Sequence, residues 1–128
     1  MSYSTKKVTG VWVDHGEAFL INTSDKSNTG NYTIAEKIIN KHHHDHGSSE
    51  KTHQNKTAQE LHKYFDEITN HIQGFDSILL FGPGKAQEEL KNFLKDNMHF
   101  NEKEVVVKSG NRFTENEMIA FVRNNFLL

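Results

Sequence analysis

The sequence predicts an α/β fold, with element order β-β-β-α-β-α-β-α, a mixed sheet of about five strands, and helices on both faces. Three observations predict it. The first half carries runs dense in β-branched and aromatic residues; the second half carries apolar stripes spaced three and four residues apart; and between those stripes lie short continuous apolar runs of strand length.

The first strand is Val8-Thr9-Gly10-Val11-Trp12-Val13 and the second is Ala18-Phe19-Leu20-Ile21-Asn22-Thr23, with turn chemistry at His15-Gly16 between them, the pattern of a hairpin. Both strands are apolar on both faces. That belongs in the middle of a sheet covered on each side. A polar loop from Ser24 to Gly30 leads to Tyr32-Thr33-Ile34-Ala35-Glu36-Lys37-Ile38, which alternates and reads as an edge strand.

From Thr57 the period changes. Ala58, Leu61, Phe65, Ile68 and Ile72 form one helical stripe, with Thr57 and Glu60 placed as a capping box at its start and Gly74 after its end. Ser77-Ile78-Leu79-Leu80-Phe81 is a buried strand closed by Gly82-Pro83-Gly84. Ala86, Leu90, Phe93 and Leu94 mark a second helix ending near Asn97, and Val105-Val106-Val107 reads as a further buried strand. Thr114 with Glu117 is another capping box, ahead of the stripe Met118, Phe121, Val122 and Phe126 of a C-terminal helix. This is the element order of the ribonuclease H-like fold and of a related fold among translational-machinery components. The chain shows no internal repeat, so residues 1–128 are expected to form a single domain.

Composition narrows the function classes. The 128 residues include 9 Phe, 3 Tyr and 1 Trp, too many aromatics for a disordered chain. With no Cys there is no disulfide framework, thiolate metal site or cysteine nucleophile, and a reducing, cytoplasmic setting is expected. No signal-peptide h-region or membrane-spanning run is present, so no membrane partner is expected. Net charge is formally −2, but residues 37–56 hold four lysines against Asp45 and Glu50, which makes them locally basic on an acidic body. Five of the nine His, from His42 to His53, lie there too, and their protonation near pH 6.5 adds to that charge.

Three places carry candidate chemistry. Asp14 ends the first strand, where nucleases of the ribonuclease H fold place a metal-binding carboxylate. Two-metal catalysis needs several converging carboxylates, and the fourth strand offers none at its end, so Asp14 reads better as a turn residue. Gly82, Gly84 and Lys85 lie at a helix N-terminus, where amides and dipole favour an anion. Ala86 follows Lys85 where a nucleotide-binding loop has Ser or Thr, and a tight strand-to-helix turn is the favoured reading. The segment 41–56 reads in three ways: as an inert polar loop, as a loop meeting a polyanion through Lys41, His42, His43, His44, His46, Lys51, His53 and Lys56, or as a weak zinc or nickel binder through His42, His43, His44 and His46. Three consecutive side chains do not converge on one ion from a strand, which favours weak, exchangeable coordination.

The runs Gly10-Val11-Trp12-Val13-Asp14-His15-Gly16-Glu17-Ala18-Phe19-Leu20, Ile78-Leu79-Leu80-Phe81-Gly82-Pro83-Gly84-Lys85-Ala86-Gln87-Glu88-Glu89-Leu90 and Phe113-Thr114-Glu115-Asn116-Glu117 resemble small stand-alone bacterial proteins related to the middle domain of archaeal and eukaryotic class I release factors and of Pelota. The resemblance spans about Val8 to Phe126. In release factors the loop before the first helix carries Gly-Gly-Gln, which promotes ester hydrolysis in the peptidyl-transferase centre. Here the matching stretch has only Gly47 and Gln54, so peptide release by that route is not expected. What the resemblance implies is a non-enzymatic module, without codon-reading or stalk-binding domains, associated with the ribosome or RNA through its basic His/Lys loop. The alternatives are a metal-binding protein using the His cluster and a small nuclease using Asp14. The sequence leaves the oligomeric state open.

Overall fold

In a computed structural model, residues 6–41 and 58–126 are described in full, and residues 50–57 as the backbone of a helix. Five strands form one sheet in the order β3-β2-β1-β4-β5. They are β1 (Val8–Val13), β2 (Glu17–Asn22), β3 (Thr33–Ile39), β4 (Ser77–Gly82) and β5 (Glu104–Ser109); the helices are α1 (Glu50–Ile72), α2 (Ala86–Lys95) and α3 (Glu115–Phe126). A single 3-10 turn, Met98–Phe100, joins α2 to β5. The predicted order and mixed sheet are both present.

β1 lies in the middle, antiparallel to β2 and parallel to β4, and all of its residues are buried. Its two faces feed two cores. Val11 and Val13, with Leu20, Ile78 and Leu80, meet Tyr64, Phe65, Ile68 and Ile72 of α1 and Leu90 and Leu94 of α2. Trp12, with Phe19, Ile21, Leu79 and Phe81, meets Met118 and Val122 of α3. Every side chain of a strand covered on both sides is withdrawn from water, which is why β1 and β4 are apolar without alternation. Gly10 is required where α3 crosses β1, since a Cβ there would overlap the Val122 side chain. Phe121 stacks on Phe81 at 4.6 Å between ring centres.

Three expectations need correction. α1 starts at Glu50, so Thr57 and Glu60 do not cap it; the run Glu50 to Lys56 contains no Gly or Pro and several good helix formers, and a helix extends beyond its apolar stripe wherever nothing breaks it. Ala58 is accordingly exposed, and Glu60 is buried. β5 is an edge, so Val105 and Val107 are only half-buried and Val106 is exposed. The connection between β3 and α1 is also shorter than residues 41–56, because Lys51, His53 and Lys56 belong to α1.

The other capping box is present. The Glu117 amide donates to Thr114 Oγ1 at 3.2 Å, and the Thr114 amide donates to Glu117 Oε1 at 2.8 Å. β3 is the opposite edge, as its alternation predicted.

Candidate functional site

β1, β3, β4 and β5 all run in one direction, so their C-terminal ends lie at one end of the sheet, and the helices that follow β3, β4 and β5 start there. In open α/β sheets this end, where neighbouring strands send their connections to opposite faces, is the usual place for a ligand crevice. A cleft of about 340 Å³ occupies it, lined by Asp14, His15, Pro83, Gly84, Lys85, Ala86 and Arg112.

Asp14 builds one wall. Its Oδ1 accepts the amides of Gly16 and Glu17, both at 2.8 Å, and so closes the hairpin turn with its own side chain. Its Oδ2 accepts from Arg112 at 2.9 Å. Partial burial pushes the carboxyl up, but the Glu17 and Gly16 amides and the Arg112 guanidinium outweigh that and hold it below its ordinary value. The turn reading of Asp14 is borne out. Its carboxylate is committed to two amides and a guanidinium, and among the described residues no group of three His, Asp or Glu is arranged to hold a metal.

The same turn is clamped from three more directions. The Tyr64 hydroxyl donates to Asp14 O at 2.9 Å, and the Asn40 side-chain amide donates to His15 O at 3.0 Å. The Asn40 backbone amide donates to Gly16 O, and His15 Nε2 lies 2.7 Å from Glu89 Oε1 on α2. Burial, with the carboxylates of Asp14, Glu17 and Glu67 nearby, raises the Tyr64 hydroxyl far above the ordinary tyrosine value, so it acts only as a neutral donor.

The second wall is the turn from β4 into α2. Gly82 is forced by close packing, because a Cβ there would collide with the Val13 carbonyl oxygen. Its own carbonyl accepts from the Gly110 amide at 2.7 Å and from Gln87 Nε2 at 3.1 Å. Gly84 has open space around it. Lys85 caps α2 by backbone alone, its carbonyl accepting from the Glu88 and Glu89 amides and its side chain making no cap bond. The Ala86 amide, at the first position of α2, thus borders the cleft with no partner inside the helix. Lys85 makes no ion pair among the described residues, whereas Arg112 is paired with Asp14 and His15 with Glu89.

The third wall is the segment leaving β5. The Trp12 indole donates to Asn111 O at 2.9 Å, which fixes the backbone just before Arg112.

Of the sequence-derived candidates, Gly84 and Lys85 line this cleft and Gly82 sits behind it as a packing residue. Lys41 is exposed and follows Asn40, the residue bonded to the hairpin turn, so the β3–α1 connection leaves the sheet beside the cleft. Lys51, His53 and Lys56 lie in the part of α1 that begins at this end. His42, His43, His44 and His46 lie outside the described residues. Sequence reading missed Arg112, His15 and Asn40. Only the fold brings them together, because they come from three separate connections.

No family model matches the sequence, and no curated protein matches it significantly. Solved structures do. Pelota from Thermoplasma acidophilum superposes with a TM-score of 0.63 at 19% identity, over 99% of this chain and 36% of that one. Pelota from Archaeoglobus fulgidus gives 0.61 at 14% identity, over 94% of this chain and 31% of that one. The chain has the fold of a Pelota domain. An archaeal translation termination factor, aRF1, matches at a TM-score of 0.50 and 11% identity, over 92% of this chain and 38% of that one. The chain therefore spans about a third of the length of each of these Pelota and release-factor structures.

Proposed function

We propose that this chain is a non-enzymatic, ribosome- or RNA-associated module of the release-factor middle-domain type. The observation that carries the reading is the likeness of nearly the whole chain to one portion of Pelota and of a translation termination factor. The chain contains no Gly-Gly-Gln, so the reading is one of docking, not of ester hydrolysis.

Phosphate is the chemistry that the end of the sheet best suits. Lys41, Lys51, His53 and Lys56, with His42, His43, His44 and His46, form the locally basic stretch of the sequence. Gly84 and Lys85 stand at the N-terminus of α2 and add the positive end of its dipole and a cation that has no ion-pair partner among the described residues. Arg112 is held in place by Asp14 and is 72% exposed at the same cleft. The contribution expected of these groups is sequence-independent and electrostatic.

Binding of a fluorescent ribosomal-RNA fragment, followed by anisotropy across a salt series, tests the reading. The logarithm of affinity should fall linearly with the logarithm of salt concentration, and each of Lys41→Ala, Lys56→Ala and Lys85→Ala should reduce that slope by about 1. Slopes identical to wild type in all three variants would remove these residues from the interface.

A further inference from the structure

β5 ends the sheet, and no described strand pairs with its outer edge. It pairs with β4 in unbroken register from Ser77↔Glu104 to Gly82↔Ser109. The Glu104 amide donates to Asp76 O at 3.0 Å and the Gly110 amide to Gly82 O at 2.7 Å, so the even-numbered residues of this parallel strand turn their backbone groups toward β4. Val105 and Val107 therefore turn theirs outward. β5 has no proline and no bulge, and its only charges are Glu104 and Lys108. The other edge is blunted differently: β3 carries Glu36 and Lys37 in mid-strand, and its pairing with β2 shifts between Leu20 and Ile21.

The sequence of this open edge is self-complementary. Set antiparallel to a copy of itself about Val106, Glu104-Val105-Val106-Val107-Lys108 places Glu104 opposite Lys108 of the second copy, Val105 opposite Val107, and Val106 opposite Val106. Directly opposed residues share a face, so the charges meet on the side where Val106 is 36% exposed, and the half-buried valines meet on the other. The same register makes Val105 and Val107 the hydrogen-bonded pair, using the groups that already face outward. The next register that keeps this bonding, in either direction, sets Val106 against a charge. The one after that is centred on Glu104 or Lys108 and opposes like charges.

α2 packs beside the strand. Glu88, Lys91 and Lys95 of α2 line the groove beside Val107 and Ser109, and Lys91 and Lys95 also border the space beside Val105.

We propose that this chain forms a two-fold homodimer by antiparallel pairing of β5 with β5 of a second copy, centred on Val106, so that the two sheets become one. Sedimentation equilibrium of the full chain from micromolar to millimolar concentration reads it. A monomer–dimer equilibrium is expected, and Glu104→Lys or Lys108→Glu alone should weaken it about tenfold, because each turns both charge pairs of the dimer into like-charge pairs. An equimolar mixture of the two variants restores opposite charges across the strands and recovers the dimer. Glu104 also accepts from the Ser77 hydroxyl at 2.7 Å, whereas Lys108 makes no ion pair among the described residues, so Lys108→Glu keeps the test readable if Glu104→Lys unfolds. A monomer throughout the range, or a dimer that Lys108→Glu leaves unchanged, overturns the proposal.

Discussion

The Arg112 guanidinium stands 2.9 Å from the Asp14 carboxylate and ties the segment leaving β5 to the hairpin turn after β1. The two partners are unequal. Arg112 is 72% exposed and the Asp14 side chain only 18%, so the ion pair itself is worth at most about 1 kcal/mol in water-screened surroundings. The same carboxylate also accepts the Gly16 and Glu17 amides, and leaving partly buried donors unmet costs about 1–3 kcal/mol. Asp14→Ala should therefore destabilise the fold clearly more than Arg112→Ala in urea unfolding. Equal losses would assign the role of Asp14 to the ion pair alone.

The lowered Asp14 pKa fixes the sign of a pH effect. A carboxyl that titrates lower in the folded state than its ordinary 3.8 contributes stability that is fully present above that value and is lost as pH falls through the folded value. The stability difference between wild type and Asp14→Asn should thus be constant near neutrality and shrink below pH 3.8. A difference that does not change with acid, measured by thermal melts across that range, would contradict the account of this turn.

The two glycines flanking Pro83 separate packing from binding. Gly82→Ala forces a methyl into the Val13 carbonyl and should cost about 1–3 kcal/mol. Gly84→Ala meets open space and should stay within about 0.5 kcal/mol of wild type while narrowing the approach to the first turn of α2. Chemical denaturation of the pair checks the contrast, and a Gly84→Ala loss as large as that of Gly82→Ala would refute it.

Thr114→Ala removes the acceptor for the Glu117 amide and leaves the first turn of α3 with one unmet donor. A loss of about 1 kcal/mol is expected in the same unfolding experiment. No loss would mean that the box adds nothing to packing by Met118 and Val122.

The periodicities made the fold legible because each element buries one kind of surface. The spacing Leu61, Phe65, Ile68, Ile72 has one helical solution, and Ile78 to Phe81 is too short and too apolar to be anything but a covered strand. Helix starts were less legible. Thr114 and Glu117 were a real box, but Thr57 and Glu60 had the same spacing inside a helix, and only an interruption upstream would have separated the two cases. The edge position of Val105 to Val107 was hidden because a hydrophobic run does not record how many neighbours its strand has. The candidate site was half legible: Gly84 and Lys85 announce a strand-to-helix turn, whereas Arg112, His15 and Asn40 acquire meaning only when the strand ends are brought together.

Co-sedimentation with ribosomes on sucrose gradients tests the central claim most directly. Wild type should travel with the ribosomal peak at low salt and partly leave it at moderate salt, while a chain with Lys41, Lys51, Lys56 and Lys85 all changed to Ala stays in the upper fractions at both. Wild-type protein remaining at the top of the gradient under both conditions would contradict the account.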